Sequence, residues 1–191
     1  MDIAFLLSVT QFAADKHRHQ RRKDIHASPY INHPLALAYV LSNEAGIEDV
    51  TVLSAALLHD TIEDTDTTFE ELTERFGSTI ASIVLEVTDD KSLPKQQRKQ
   101  LQIDHAPHSS YEAKLVKLAD KICNLRDLFD YPPYGWSVER IHDYFDWSEK
   151  VIAGLRGVNA KLEYLADQLL QRRSEISGEF KYEVQFLEPV G

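Results

Sequence analysis

Four residues about a third of the way along the chain carry the most chemistry. His59 and Asp60 are adjacent, and Glu63 and Asp64 follow within one helical turn. The pair closes the run LSAALL, so charge is placed where an apolar segment stops. Burying such a pair is costly unless something pairs with it, and a bound cation would. A second dipeptide, His142-Asp143, has no acid cluster nearby and reads as a surface or supporting pair. His33 stands beside Pro34, at a predicted helix start, where its ring can project inward. Asp120 lies in KLVKLADKICNL among Leu118, Ala119 and Ile122, with Asn124 one turn further on the same face. For any one of these residues, a hydrogen-bonded helix end or a buried ion pair is the commoner explanation. Together, two imidazoles and two carboxylates form a mixed nitrogen and oxygen donor set. Such a set suits Mn²⁺, Fe²⁺ or Zn²⁺ better than Mg²⁺ or Ca²⁺. Glu63 and Asp64 are then spare acids that can orient water and take its proton, while the ion acidifies that water or polarises a phosphoryl oxygen.

The charge distribution adds to this. The 191 residues hold 21 Lys and Arg against 31 Asp and Glu, a net charge of −10. That balance disfavours nucleic acid and membrane surfaces as partners, because both are polyanions. The cations nevertheless cluster in KHRHQRRK (16–23), in KSLPKQQRK (91–99), and at Lys114, Lys117, Lys121 and Arg126 on one predicted helix. A charge run is often only a solvated face, but three in an acidic chain suggest one local anion site. A metal, spare carboxylates and local cations together read as a phosphohydrolase. One cysteine excludes an internal disulfide framework and a Cys-rich zinc site, and fits a reducing compartment. No run reaches the roughly 18–20 apolar residues of a transmembrane helix, and Asp2 sits where a signal peptide needs positive charge. The expectation is a cytoplasmic enzyme of a small nucleotide, with its oligomeric state open.

Helical spacing predicts the elements that must position these residues. Ile3, Leu6, Leu7, Ala13 and Ala14 give a first helix over 2–19. A second starts at His33-Pro34 and stops near Gly46. Asp49 caps VTVLSAALLHD, which is apolar nearly all round and therefore central. Thr68 and Glu71 form a capping-box spacing for a helix ending at Gly77, and 78–89 follow with Ile80, Ile83, Val84 and Val87 on one face. Ser109 and Glu112 have the same spacing ahead of a long helix, Ser137 caps another, and Leu162, Leu165 and Leu169 mark a last one. The tail FKYEVQFLEPV alternates like a lone strand. The expected fold is an all-α bundle of about eight to ten helices, with 1–175 as one domain and 176–191 as a tail.

The order His33, His59-Asp60, Asp120 resembles the HD-domain metal-dependent phosphohydrolases. Longer strings are similar to the hydrolase domain of the Rel/SpoT stringent-response proteins, and most of all to the free-standing small alarmone hydrolases of the metazoan SpoT-homologue type. These strings are PYINHP, AALLHDTIEDT, FGSTIASIVLEVTDDKSLPK, APHSSYEAKLVKLADKICNLRDL and GWSVERIHDYFDW. The resemblance spans roughly residues 3–172. It implies an all-α HD fold and Mn²⁺-dependent removal of the 3′-pyrophosphate of (p)ppGpp. It further implies His33, His59, Asp60 and Asp120 as metal ligands and Glu63 and Asp64 as catalytic acids. Arg22, Lys23, Lys95, Asn124, Arg140 and Tyr144 would contact the nucleotide. The loop Asp24-Ile25-His26-Ala27-Ser28 lacks the glycine usual in Rel enzymes, which keeps an adenine alarmone, (p)ppApp, among the substrates. Dephosphorylation of NADPH at its 2′ position and non-catalytic nucleotide sensing are the alternatives.

Overall fold

A computed structural model of the protein describes residues 2–176, and the strand-like tail motif lies outside them. The described residues form ten α-helices: α1 (Ile3–Lys16), α2 (Asn32–Tyr39), α3 (Val50–Leu58), α4 (Thr61–Asp64), α5 (Phe69–Phe76), α6 (Ser78–Val87), α7 (Lys95–His105), α8 (Tyr111–Asp130), α9 (Val138–Leu155) and α10 (Ala160–Gln171). The all-α expectation holds, with no strand among the described residues; one isolated antiparallel bridge joins Arg21 to Pro29.

Two helices organise the core. In α3 every residue from Val52 to Leu58 is buried, as its unbroken apolar run requires. Helices α1, α2, α6 and α8 all pack on it. The long α8 is buried along Leu115, Leu118, Ile122 and Leu125, and also receives α9 and α10. The C-terminal end of α3 and the middle of α8 carry the residues singled out above.

Capping explains most boundaries. Asp49, Thr68 and Ser137 accept from the backbone N–H groups of Thr51, Glu71 and Arg140. Asp2 caps α1, which stops at Lys16, three residues short of expectation. Two departures are instructive. Ser110, not Ser109, caps α8 by accepting from Ala113 N–H, while Ser109 follows the 3-10 turn at Ala106–His108. Helix α7 was not legible in sequence, because it buries none of its residues and so shows no apolar stripe.

Candidate active site

Residues 20–33 bring the site's first side chains inward. Arg22 N–H donates to the Ser28 carbonyl and Tyr30 N–H to the Gln20 carbonyl, closing a short hairpin. Its turn is held by Asp24, whose carboxylate accepts from His26 N–H, Ser28 N–H and Ser28 Oγ. Ala27 there takes φ +48°, a left-handed conformation that suits glycine better. The hairpin directs Arg22 and Lys23 to one cavity wall and leads through Tyr30 to His33 at the start of α2.

His33, His59 and Asp60 each offer a ligand atom, all within 4.8 Å of one another. His59 Nδ1 lies 2.8 Å from the Ala56 carbonyl, which only accepts, so Nδ1 carries the proton. In the neutral ring that metal ligation requires, Nε2 is then a lone pair. It is buried, lacks a hydrogen-bond partner, and lies 2.9 Å from Asp60 Oδ2 without hydrogen-bond alignment. Two electron-rich atoms facing one another at that distance are what a cation between them would reconcile. His33 Nε2 sits 3.1 Å from Asp120 Oδ1 and 4.0 Å from Asp60 Oδ2. With its proton on Nδ1, which has no partner, the ring would offer a second lone pair at the same place. The donors therefore fit a divalent ion of the borderline class.

Supporting contacts fix the carboxylates. Tyr30 donates to Asp60 Oδ2 at 2.5 Å. Asp120 accepts from Asn124 Nδ2 at 2.6 Å, one turn along α8, and from Lys121 Nζ at 3.0 Å. Burial opposes charge on these groups, but their partners outweigh it. His59 and His33 hold Asp60 below the ordinary carboxylate range, and Lys121 and His33 do the same for Asp120. Asp60 in turn raises His59 to about 9 against its burial, while burial lowers His33.

Glu63 and Asp64 extend from the site on α4. Glu63 accepts from Asp89 N–H at 3.0 Å. Burial, with the nearby charges of Asp60, Asp89 and Asp64, pushes its carboxyl up to about 7. Asp64 pairs with Lys91, and Gln20 donates to its backbone carbonyl.

Two adjoining cavities share Arg22, Tyr30, His33, Asp64, Asn124 and Tyr144. The smaller, about 220 Å³, holds His33, His59, Asp60, Glu63, Asp64 and Asp120 together. The larger, about 600 Å³, is lined by Arg22, Lys23, Asn124, Tyr131, Trp136 and Tyr144, among others. Buried Cys123 belongs to its wall, and burial keeps that thiol protonated far above its ordinary range. Arg22 is part-neutralised by Asp127 at 2.5 Å, and also donates to Asn124 Oδ1.

The three basic groups do not form one pocket. Lys95 is exposed at the start of α7 and lines neither cavity; Lys91 and Arg98, in the same stretch, are the cations that reach the acids, at Asp64 and at Glu63 and Asp89. Arg140 lines neither and stacks on Trp136, 4.2 Å from the ring centroid. Arg126 is bound to Glu44 at 2.6 Å. His142 faces away, bonded to the Ile176 carbonyl and to Arg173. Sequence reasoning assigned no role to Tyr30, although it lies within PYINHP, nor to Lys91.

The chain belongs to the HD-domain family, whose model matches residues 10–140. It is 58% identical over 170 residues to the guanosine-3′,5′-bis(diphosphate) 3′-pyrophosphohydrolase MESH1 of Danio rerio, covering 89% of this chain and 94% of that one. It is 55% identical over 172 residues to MESH1 of Homo sapiens, covering 90% and 96%. Among solved structures, a metazoan ortholog of SpoT that hydrolyzes ppGpp and plays a role in starvation responses matches with a TM-score of 0.88 and 51% identity, covering 91% of this chain and 97% of that one. These identities place the chain in the MESH1 family.

Proposed function

We propose that this protein is a Mn²⁺-dependent 3′-pyrophosphohydrolase of the alarmone ppGpp, acting in the cytoplasm, with residues 1–175 as one catalytic domain. The observation that carries this reading is the convergence of His33, His59, Asp60 and Asp120 beside a proton acceptor, Glu63, and next to a cationic, aromatic cavity of nucleotide size. The relatives' names supply the substrate.

His33, His59, Asp60 and Asp120 would hold the ion. Once bound, it supplies Lewis-acid chemistry, lowering the pKa of water and offsetting phosphate charge. Glu63 accepts the proton of the attacking water, for which a carboxyl near pH 7 is matched. Asp64, braced by Lys91 and by Gln20, orients that water. Water adds to the phosphorus bearing the 3′-oxygen and the P–O3′ bond breaks. The 3′-oxygen regains a proton, so ppGpp and water give GDP and pyrophosphate. Arg22, Lys23, Asn124 and Tyr144 hold the nucleotide in the larger cavity, whereas Lys95 and Arg140, outside both cavities, have no place in this geometry.

The test is a panel of ppGpp, ppApp and NADPH with Mn²⁺, scored by product. Pyrophosphate release from ppGpp is expected, and from ppApp if the Ala27 loop admits adenine. Orthophosphate from NADPH alone would instead make the protein a 2′-phosphatase, and tight binding without turnover would make it a sensor. Asp60→Ala is expected to abolish turnover; undiminished activity would refute the metal assignment.

A further inference from the structure

Lys117 and Lys121 lie one turn apart on α8 and both line the smaller cavity. Lys121 is almost wholly buried and bonds Asp120, and its Nζ is 4.4 Å from the centroid of the Trp147 ring. Lys99 Nζ, from α7, is 4.6 Å from the same centroid. The indole N–H of Trp147 donates to the Lys99 carbonyl at 3.0 Å, which locks the ring of α9 against α7. Helices α7 and α8 thus hold two ammonium groups over one ring of α9, with Lys117 one turn along α8 from Lys121.

Their charge is not balanced. Lys121 answers Asp120, but neither Lys99 nor Lys117 has an ion-pair partner among the described residues. Asp143 is felt by Lys99, and Asp89 and Glu86 by Lys117, without ion-pair contact. Burial and neighbouring cations push both lysines below their ordinary range. A ring attracts an ammonium without neutralising it, so Trp147 leaves the charge of Lys99 in place. Asp120 takes Lys121, and no carboxylate among the described residues contacts Lys99 or Lys117, although Asp60, Glu63, Asp64 and Asp89 share the smaller cavity with Lys117.

We propose that Lys117 and Lys121, which line the smaller cavity, together with Lys99, which lies over the Trp147 ring of its wall without lining it, form a subsite for the pyrophosphate group on the α7–α8–α9 side of the candidate centre. The inference rests on the hydrolase reading above and deepens it. The substrate then straddles the two cavities, with the nucleoside in the larger and the pyrophosphate in the smaller. A dianionic or more highly charged diphosphate engages several ammonium groups at once, whereas orthophosphate spans fewer.

Trp136→Phe leaves Trp147 as the one tryptophan of the chain, since there are two. In that Mn²⁺-loaded background, inorganic pyrophosphate, orthophosphate and GDP are titrated separately while Trp147 emission is followed, with calorimetry for GDP. Pyrophosphate is expected to give a saturable change, and Lys99→Met and Lys117→Met each to weaken it about tenfold or more. Lys99→Arg and Lys117→Arg should restore most of that affinity, and GDP affinity should change less than about twofold throughout. Unchanged pyrophosphate affinity in both Met variants, or equal loss for GDP, would overturn the proposal. If pyrophosphate binds in this pattern but ppGpp is not hydrolysed, the subsite stands and the reaction fails. If ppGpp is hydrolysed while the Met variants keep pyrophosphate affinity, the reaction stands and the subsite fails.

Discussion

Glu63 is half-buried near Asp60, Asp64 and Asp89, and that company sets when it can accept a proton. A base must be ionised to act, so kcat/KM is expected to rise with pH along a limb at or below about 7. A bound cation moves the limb downward, because positive charge favours the carboxylate. Glu63→Gln should lower kcat by about 10²- to 10⁴-fold and remove the limb, while Mn²⁺ affinity by calorimetry persists. A limb that survives in this variant would assign the titration elsewhere. The acids and histidines were legible in sequence because each breaks an apolar pattern: Asp120 interrupts the stripe of Leu118 and Ile122, and His59 ends a run buried throughout. Tyr30 and Lys91 break no local pattern. Their partners, Asp60 and Asp64, lie 30 and 27 residues away, and only the folded chain brings them within reach.

Among the elements, the helix that carries Asp120 and Asn124 depends on how it begins. Ser110 accepts from Ala113 N–H, and its own N–H and Oγ both donate to Glu86 of α6. Ser110→Ala removes the cap and leaves Glu86 short of a donor, so a loss of about 1–2 kcal/mol is expected in urea unfolding. Ser109→Ala should cost less than about 0.5 kcal/mol, and equal losses would contradict the placement of the cap. Sequence spacing pointed to Ser109 because Glu112 stands three residues on, and one serine beside another is not resolved by spacing alone. Helix α7 was missed for a different reason. It offers only Leu101 and Ile103 as apolar residues, too few for a stripe, and it is also held by Trp147 and by Gln102 donating to Asp89, contacts that no periodicity reports.

For the whole molecule, net charge and local charge oppose one another. The far field of a −10 chain repels a nucleotide polyphosphate, while Lys23, Lys99, Lys117 and Lys121 attract it over short distances. Added salt screens both, but ligand contacts made through cations dominate binding once the ligand is seated. The KM for ppGpp is therefore expected to rise about three- to tenfold between roughly 0.05 and 0.5 M salt. A flat or falling KM, measured at constant Mn²⁺, would show that the global charge prevails. No helix among the described residues is long and apolar enough to cross a membrane.

Cys123 gives this architecture a clock. It lies on α8 between Asp120 and Asn124, and is buried and protonated in the wall of the larger cavity. A thiol reagent reaches it only when that wall opens. Where reclosing outpaces labelling, the modification rate reports how often the helix bearing Asp120 leaves its place. Ligand that binds only the closed form should slow labelling by the factor 1 + [L]/Kd. Alkylation of a native sulfur would thus time the breathing of the catalytic wall, with no engineered probe. Labelling as fast as a free thiol, with or without nucleotide, would show that the wall does not seal.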